Sequence, residues 1–416
     1  MEKKDLLLGV KDKPTLFLWF VLSFQHVIAM FSATILIPII VGIPPSIALF
    51  TSGVGTLIYS FITKAKVPVY LGSSAAFVGA MLAAQEATGS MAASQTGLIL
   101  VGGVYAIIAA IIRKFGSSWL RKLLPPVVIG PMILVIGLGL APWAVQQAGF
   151  VQGGDLKNMV VATFTLSITL IFLIKAKGIM KFIPFLLGIL SGYIFSAFLG
   201  MVEFDPVMAA PLLQLPEFSI WGFDYSPDFS FAAIALIPVV IVSISEHIGD
   251  HTVLGKICHH DFLEDPGIDK TLLGDGIATA VSAFLGGPAN TTYGENTGVI
   301  GITKVASVYV TMGAALIAIL LSFSGTVSAL IASIPAPVLG GVSLLLYGVI
   351  ASNGLKVLID EKVNFHKQRN LIIASIMLVL GLGGASLPLV GSAVLSGSAL
   401  AGISGTILNL ILPENL

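Results

Sequence analysis

Long apolar stretches alternate with short polar segments along the whole chain. Many of these stretches approach the roughly 20 residues that an α-helix needs to cross a hydrocarbon core. The pattern predicts an all-α membrane protein with fourteen spans. Their approximate limits are 16–41, 46–63, 68–84, 96–112, 125–147, 158–174, 182–201, 229–250, 271–286, 289–303, 306–323, 336–352, 370–386 and 392–412. The third and tenth spans are short and broken by Gly, Ser, Thr and Pro.

Composition supports the membrane assignment. Apolar residues make up 56% of the chain and charged residues 10%, and the mean hydropathy is +1.00. Soluble domains contain about 25% charged residues, so this chain has too few charges to cover a water-exposed surface. A net charge of zero leaves no electrostatic footprint for nucleic acid. No P-loop, nucleophile elbow or redox motif is present, so we expect neither an enzyme nor a cofactor or metal site.

The distribution of basic residues tests the number of spans. With a cytoplasmic N-terminus and fourteen spans, only Lys157 among the 21 Lys and Arg falls in an outside segment. Cytoplasmic loops of membrane proteins carry the excess of Lys and Arg. A missed or additional span would move every later Lys and Arg to the opposite side of the membrane and so reverse this bias. The sequence therefore predicts a multi-pass protein of the plasma (inner) membrane with both termini in the cytoplasm.

Two sequence patterns occur once in each half of the chain. Pro-Val-x-x-Gly at 126–130 recurs at 337–341, and a proline-led polar segment at 68–75 recurs at 288–295. The recurrences lie seven spans apart. An odd number of spans per copy means that the second copy starts on the opposite side of the membrane from the first. We therefore expect a 7+7 repeat whose two copies lie inverted in the membrane. Paired, interrupted hydrophobic segments of this kind are the best sequence indication of a transporter binding site.

Each interrupted segment predicts an extended chain that leads into a half-helix. Irregular backbone at membrane depth is tolerated only where protein or a cavity surrounds it. A half-helix N-terminus offers free N–H groups and a positive dipole to a carbonyl or a carboxylate. The sequence predicts that such a site binds a small uncharged molecule.

Few carboxylates lie within the predicted spans, and such groups mark functional sites by default. Glu246 and Asp250 are four residues apart and share a helix face; they line either a cavity or a hydrogen-bonded contact between helices. Glu295 lies at the predicted start of the second half-helix, and Asp275 is more typical of a cap or a helix-packing group. His26 contacts either a core carboxylate or neighbouring backbone.

The chain resembles the nucleobase–ascorbate transporter family at these residues. The family signature Glu/Gln/Pro-Asn-x-Gly-x4-Thr-Arg/Lys/Gly is matched completely by residues 295–304. Gln25-His26, Tyr-Leu-Gly-Ser-Ser at 70–74 and Ser-Glu-His-Ile-Gly at 245–249 are also present. The signature begins with a glutamate in this chain. In this respect the chain resembles the branch that transports uracil, whereas purine-type members commonly have glutamine there.

The resemblance implies a core domain and a gate domain. Spans 1–4 and 8–11, within 1–147 and 229–323, would form the core, with the boundary near residue 124. Spans 5–7 and 12–14, within 125–201 and 336–412, would form the gate. The substrate residues implied in this way are Glu246, Glu295, Gly294, Tyr293, Ala75, Ser74, Tyr347 and Asn296. The proton-coupling residues would be Asp250, Glu246 and His26.

Two positions differ from the uracil branch. Asp250 stands where close relatives have histidine, and Ala75 stands where they have an aromatic residue. If residues 75–77 are extended, Phe77 shares a face with Ala75, and either Phe77 or a gate residue refills the space. If the space stays open, the pocket accepts bulkier 5-substituted pyrimidines.

The expected function is import of uracil with proton symport, by alternating access. A xanthine- or urate-type purine symporter of the same fold is the alternative. An anion exchanger or channel is a further alternative, but it would need a cation in the pocket, and no Lys or Arg lies within a predicted span. The expected partners are uracil, protons, the lipid bilayer and a second copy of the chain as a homodimer.

Overall fold

The computed structural model describes residues 6–176, 180, 184–388 and 394–413. Helices dominate these ranges. They are α1 Leu16–Val41, α2 Pro45–Ile62, α3 Val78–Thr88, α4 Met91–Phe115, α5 Ser118–Leu123, α6 Pro126–Gly139, α7 Ala141–Gln147, α8 Leu156–Lys175, α9 Pro184–Phe198, α10 Asp205–Ala209, α11 Phe231–Ile234, α12 Val239–Cys258, α13 Ile268–Phe284, α14 Gly294–Thr303, α15 Val308–Ser322, α16 Gly325–Ala332, α17 Ala336–Asp360, α18 Gln368–Leu382 and α19 Gly397–Ile411. Four short strands are also present: β1 Leu71–Ser73, β2 Asn290–Thr292, β3 Ser386–Pro388 and β4 Val394–Ser396.

Seven helical segments among the described residues are long and apolar enough to cross a membrane, so the chain is a multi-pass membrane protein. They are α1, α2, α4, α6 with α7, α8, α11 with α12, and α17. The pair α15 and α16 would add an eighth, although it is bent by 85°. Helices α9, α18 and α19 are also apolar but shorter.

Several predicted limits differ from the observed ones. Helix α17 continues to Asp360, beyond the predicted end at 352, because Asn353, Lys356 and Asp360 interrupt the apolar run and lower the hydropathy of its last turns. The short helices α10 and α16 were not predicted, since neither is long enough to span a bilayer. The predicted span starts at 182 and 392 lie outside the described residues.

Strands β1 and β2 pair in an antiparallel manner, with Leu71 opposite Thr292 and Ser73 opposite Asn290. Both interrupted segments therefore contain the extended chain that the sequence predicts. A buried threonine on the preceding helix anchors each strand. Thr56 accepts from Leu71 N at 2.9 Å, and Thr279 donates to Asn290 O at 2.7 Å. Buried backbone groups at this depth are thus satisfied without water, as a hydrocarbon environment requires.

Glycines allow the helices around these strands to approach closely, as membrane helix contacts commonly require. A Cβ on Gly53 of α2 would lie 2.5 Å from Ala315 O of α15. A Cβ on Gly276 of α13 would lie 2.3 Å from Tyr105 Cβ of α4. Helices α6 and α17 meet in the same way, through Gly130 and the residues opposite it. Larger side chains at these positions would force the helices apart.

Candidate functional site

Two half-helices begin where the paired strands end. After β1, residues 75–77 form a 3-10 turn that leads into α3, and after β2 the chain enters α14 at Gly294. The flanking residues Ser74 and Tyr293 make no side-chain cap. The first N–H groups of α14 are therefore available to a carbonyl or a carboxylate at the same place.

Helix α12 brings two carboxylates to this place. Glu246 and Asp250 are both half-buried and lie one turn apart on α12. Asp250 Oδ1 is 3.4 Å from the position that a Cβ on Gly294 would occupy. Glu295, also half-buried, is the second residue of α14, which packs against α12. The structure thus brings three carboxylates together at the start of α14.

Several buried polar atoms on the half-helices, the paired strands, α12 and α17 have no hydrogen-bond partner within the described residues. They include Glu246 Oε2, Ser74 Oγ, Thr292 Oγ1, Asn296 Oδ1 and Tyr347 Oη. Tyr347, from α17, belongs to the same apolar cluster as Ala76 and Phe77 at the start of α3. Buried polar groups are nearly always paired, so a small molecule with both donors and acceptors fits this set of atoms.

Three of the predicted site residues make hydrogen bonds within the protein. Tyr293 donates from its hydroxyl to Ser73 O at 2.9 Å. Asn296 donates from Nδ2 to His26 Nδ1 at 3.0 Å and to His26 O at 3.2 Å. Neither sequence interpretation of His26 describes this contact, because the histidine ring accepts from an amide side chain. These contacts fasten α14 to β1 and α1.

A second polar group lies on the neighbouring face of α12. His247 Nδ1 is 2.8 Å from Asp275 Oδ2, and its Nε2 is 2.9 Å from Thr271 Oγ1. His251 Nε2 is 2.5 Å from the hydroxyl of Tyr59. All these side chains are buried. Asp275 is therefore a helix-packing group, as the sequence indicated, and the set joins α12 to α2 and α13.

Sequence reasoning did not identify Thr56, Thr279, Tyr59 or Thr271 as structural partners of the site. Each is a polar residue inside an apolar stretch, which is the only sequence signal that would have found them. Serine and threonine are frequent in membrane helices, where they bond to the backbone one turn earlier. The signal therefore does not separate these four residues from the others.

The position of Ala75 is now defined, and the extended-chain premise for Phe77 is wrong. Residues 75–77 form a 3-10 turn, in which residues i and i+2 do not share a face. Phe77 is 0% exposed and packs in the main apolar cluster, whereas Ala75 is half-buried at its edge. Phe77 therefore does not refill the space beside Ala75.

A cavity of about 640 Å³ lies beside the second half of α12. Its inner part includes Ile248 and Gly249 of α12, one turn from Glu246. Its outer part includes Lys256, Asp261, Asp360 and Glu361. The cavity lies between the second half of α12, the start of α6 and the end of α17, and Glu246, Asp250 and Glu295 are not among the described residues that line it.

Comparisons with known proteins identify the family of this chain. A model of the permease family matches residues 17–390. The chain is 49% identical to the uracil permease of Bacillus subtilis (strain 168), covering 100% of this chain and 97% of that protein. It is 50% identical to the uracil permease of Bacillus caldolyticus, covering 98% of this chain and 94% of that protein.

Two solved structures share the fold. The transmembrane domain of the cyanobacterial bicarbonate transporter BicA matches with a TM-score of 0.66 and 15% identity, covering 97% of this chain and 100% of that chain. The murine solute carrier 26 family member A9, an anion transporter, matches with a TM-score of 0.72 and 10% identity, covering 96% of this chain and 69% of that chain. Taken together, the signature at 295–304, the family match and the two relatives show that this chain belongs to the permease family, the nucleobase–ascorbate transporters.

Proposed function

We propose that this protein imports uracil together with protons across the plasma membrane. The observation that carries the proposal is the identity of 49% and 50% to two uracil permeases over nearly the whole of each chain. The arrangement of carboxylates and half-helix N–H groups supports it, because uracil is small, flat and uncharged.

Uracil has two N–H donors and two carbonyl acceptors on its ring. Carboxylates of Glu246 and Glu295 accept the N–H groups, and free N–H groups at the start of α14 donate to a carbonyl. Gly294 has no side chain, so the ring approaches that backbone directly. Ser74 and Tyr347 contribute the remaining polar contacts. A site that pairs these groups rejects analogues that leave them unpaired.

Proton coupling follows from the crowding of acidic groups. Glu246, Asp250 and Glu295 interact with one another away from bulk water, where placing several negative charges together is costly. In the proposed cycle at least one of them binds a proton when substrate enters. Asp250 and Glu246 have this role, and His26 supports it by holding Asn296 at the first turn of α14.

The proposed architecture has fourteen spans in two inverted sets of seven. Spans 1–4 and 8–11 form a core, with a boundary near residue 124, and spans 5–7 and 12–14 form a gate. Pairing of β1 with β2 and the matched threonine anchors support this arrangement, since each half contributes one strand and one half-helix. Lys and Arg lie almost entirely on the side that we assign to the cytoplasm, together with both termini.

Uptake of radiolabelled uracil into cells or proteoliposomes tests the proposal. We expect unlabelled uracil to compete, xanthine and adenine not to compete, and an uncoupler to abolish accumulation. Uptake of labelled xanthine without uptake of labelled uracil would identify a purine symporter instead. Accumulation that persists with the uncoupler would contradict proton symport.

The likeness to a bicarbonate transporter and an anion transporter favours a second candidate, an anion carrier. An anion site would need a cationic side chain to balance the charge. The described residues around the start of α14 supply Glu246, Asp250 and Glu295 instead. Uptake of labelled bicarbonate or chloride, with no uptake of uracil, would support the anion carrier.

A further inference from the structure

Helix α12 contacts the proposed gate along only half of its length. In its first half, Ser245 Oγ is 3.5 Å from Met132 Sδ of α6. Val242 lies 3.1 Å from the position of a Cβ on Gly402 of α19. In its second half, the cavity of about 640 Å³ separates α12 from α6 and α17. The protein is thus closed on one side of Glu246 and open on the other.

Opposite charges line the two walls of this cavity. Lys256, two turns beyond Gly249 on α12, is exposed on the core wall, and Asp360 and Glu361 are exposed at the end of α17 on the gate wall. Within the described part of the chain, no ion pair includes any of these three residues. They are fixed to helices that belong to different proposed domains.

We propose that Lys256 pairs with Asp360 or Glu361 when the cavity closes, and that this ion pair stabilises the state open to the opposite side of the membrane. The inference rests on the proposed alternating-access function, because that function requires the cavity to close. Closing moves α12 towards the end of α17, which brings the two walls and their charges together.

Other charged groups near the cavity do not replace this pair. Asp261 lies beside Lys256 on the core side, and its Oδ1 accepts from Leu263 N at 2.9 Å. Lys356 and Lys362 belong to the gate side and do not line the cavity. Lys256 is therefore the cavity-lining lysine that faces the gate carboxylates from the opposite wall.

An exposed ion pair changes the equilibrium constant between two conformations by about 1.5- to fivefold. Reversing the charge at Lys256 removes the pair and places like charges on both walls. We expect Lys256→Glu to lower the uracil uptake rate by about two- to fivefold and to leave the cavity open for more of the time. Asp360→Lys with Glu361→Lys should have the same effect, and the three changes together should restore uptake.

The open state can be measured without substrate. Val253 lines the cavity and is 47% exposed, so Val253→Cys provides a reporter for a membrane-impermeant maleimide applied from the cavity side. Cys258 is buried and would be replaced by Ala in every variant. We expect faster labelling in Lys256→Glu, wild-type labelling in the triple swap, and no change in the matched control Lys356→Glu.

Crosslinking provides a second measurement if a charge variant does not fold. Lys256→Cys with Asp360→Cys, in the Cys258→Ala background, should crosslink with a short bifunctional thiol reagent and then stop transporting. The inference is overturned if the triple swap restores neither uptake nor labelling, or if the crosslinked protein transports normally. Absence of uracil uptake by the wild-type chain would contradict the proposed function instead, and the labelling results would still test the ion pair.

Discussion

Asp250 of α12 lies directly against Gly294, the first residue of α14, with its Oδ1 3.4 Å from the place of a Cβ on that glycine. A side-chain carboxylate therefore lies beside the bare backbone at the start of a half-helix. Under the proposed function, this position places the proton-coupling group close to whatever binds to the α14 N–H groups.

Asp250→Asn should separate binding from coupling. The amide keeps the size and much of the hydrogen bonding of the carboxyl group but cannot take up a proton. We expect uracil exchange between equal concentrations to continue, while accumulation against a gradient falls at least tenfold. Glu264→Gln, in an exposed loop, is the control. Unchanged accumulation with unchanged pH dependence would show that the proton uses another group.

Glu246→Gln and Glu295→Gln should each weaken uracil binding by about 10- to 150-fold. A hydrogen bond to a charged group contributes about 1.5–3 kcal/mol, and each amide replaces one acceptor oxygen with a donor. Equilibrium binding to purified protein measures the effect. Glu86→Gln, at an exposed position on α3, should bind normally. Near-normal binding by both site variants would remove these residues from the site.

Ala75→Phe should raise uracil affinity by about two- to tenfold. An offset aromatic stack contributes about 0.5–1.5 kcal/mol beyond burial, and Phe77 is packed elsewhere. For the same reason, the wild-type protein should transport 5-substituted pyrimidines that Ala75→Phe rejects. Competition by thymine measures this directly. Equal affinity and equal competition in the two proteins would show that residue 75 does not face the substrate.

His247→Leu should destabilise the protein by about 1–3 kcal/mol, because it leaves Asp275 and Thr271 buried without their partner. The expected readout is a lower thermal midpoint in detergent. His366→Leu, at an exposed position, should leave the midpoint unchanged. A wild-type midpoint in His247→Leu would mean that the buried contacts add no net stability.

Gly354→Ala should also destabilise the protein, by about 1–3 kcal/mol. Its Cβ would lie 2.5 Å from Gly130 O, at the contact between α17 and α6. Gly103→Ala is the matched control, since no atom lies within 4 Å of its Cβ position. The control should be neutral or slightly stabilising, because alanine favours the helix more than glycine does. Equal thermal midpoints in the two variants would contradict this account of the contact.

Hydropathy was sufficient to find most of the helices and both interrupted segments, because burial in lipid demands long apolar runs. It did not show the end of α17 at Asp360, where polar and charged residues interrupt the apolar run, or α16, which is shorter than a membrane span. The acidic residues of the site were visible as charges in apolar surroundings. Their partners were not, because contacts such as Asn296 with His26 join residues 270 positions apart, and spacing along the chain does not encode them.

The pairing of β1 with β2 has a consequence for biosynthesis. Strand β1 ends at Ser73, but its partner is not complete until Thr292 has been added. At about 5–20 residues per second, the ribosome takes about 10 to 45 seconds to cover that interval. During this time the polar edge of β1 lies in or near the bilayer without its partner strand, at a cost that grows with every unpaired backbone group. Newly made chains released before residue 292 are therefore expected to be preferred substrates of membrane proteases.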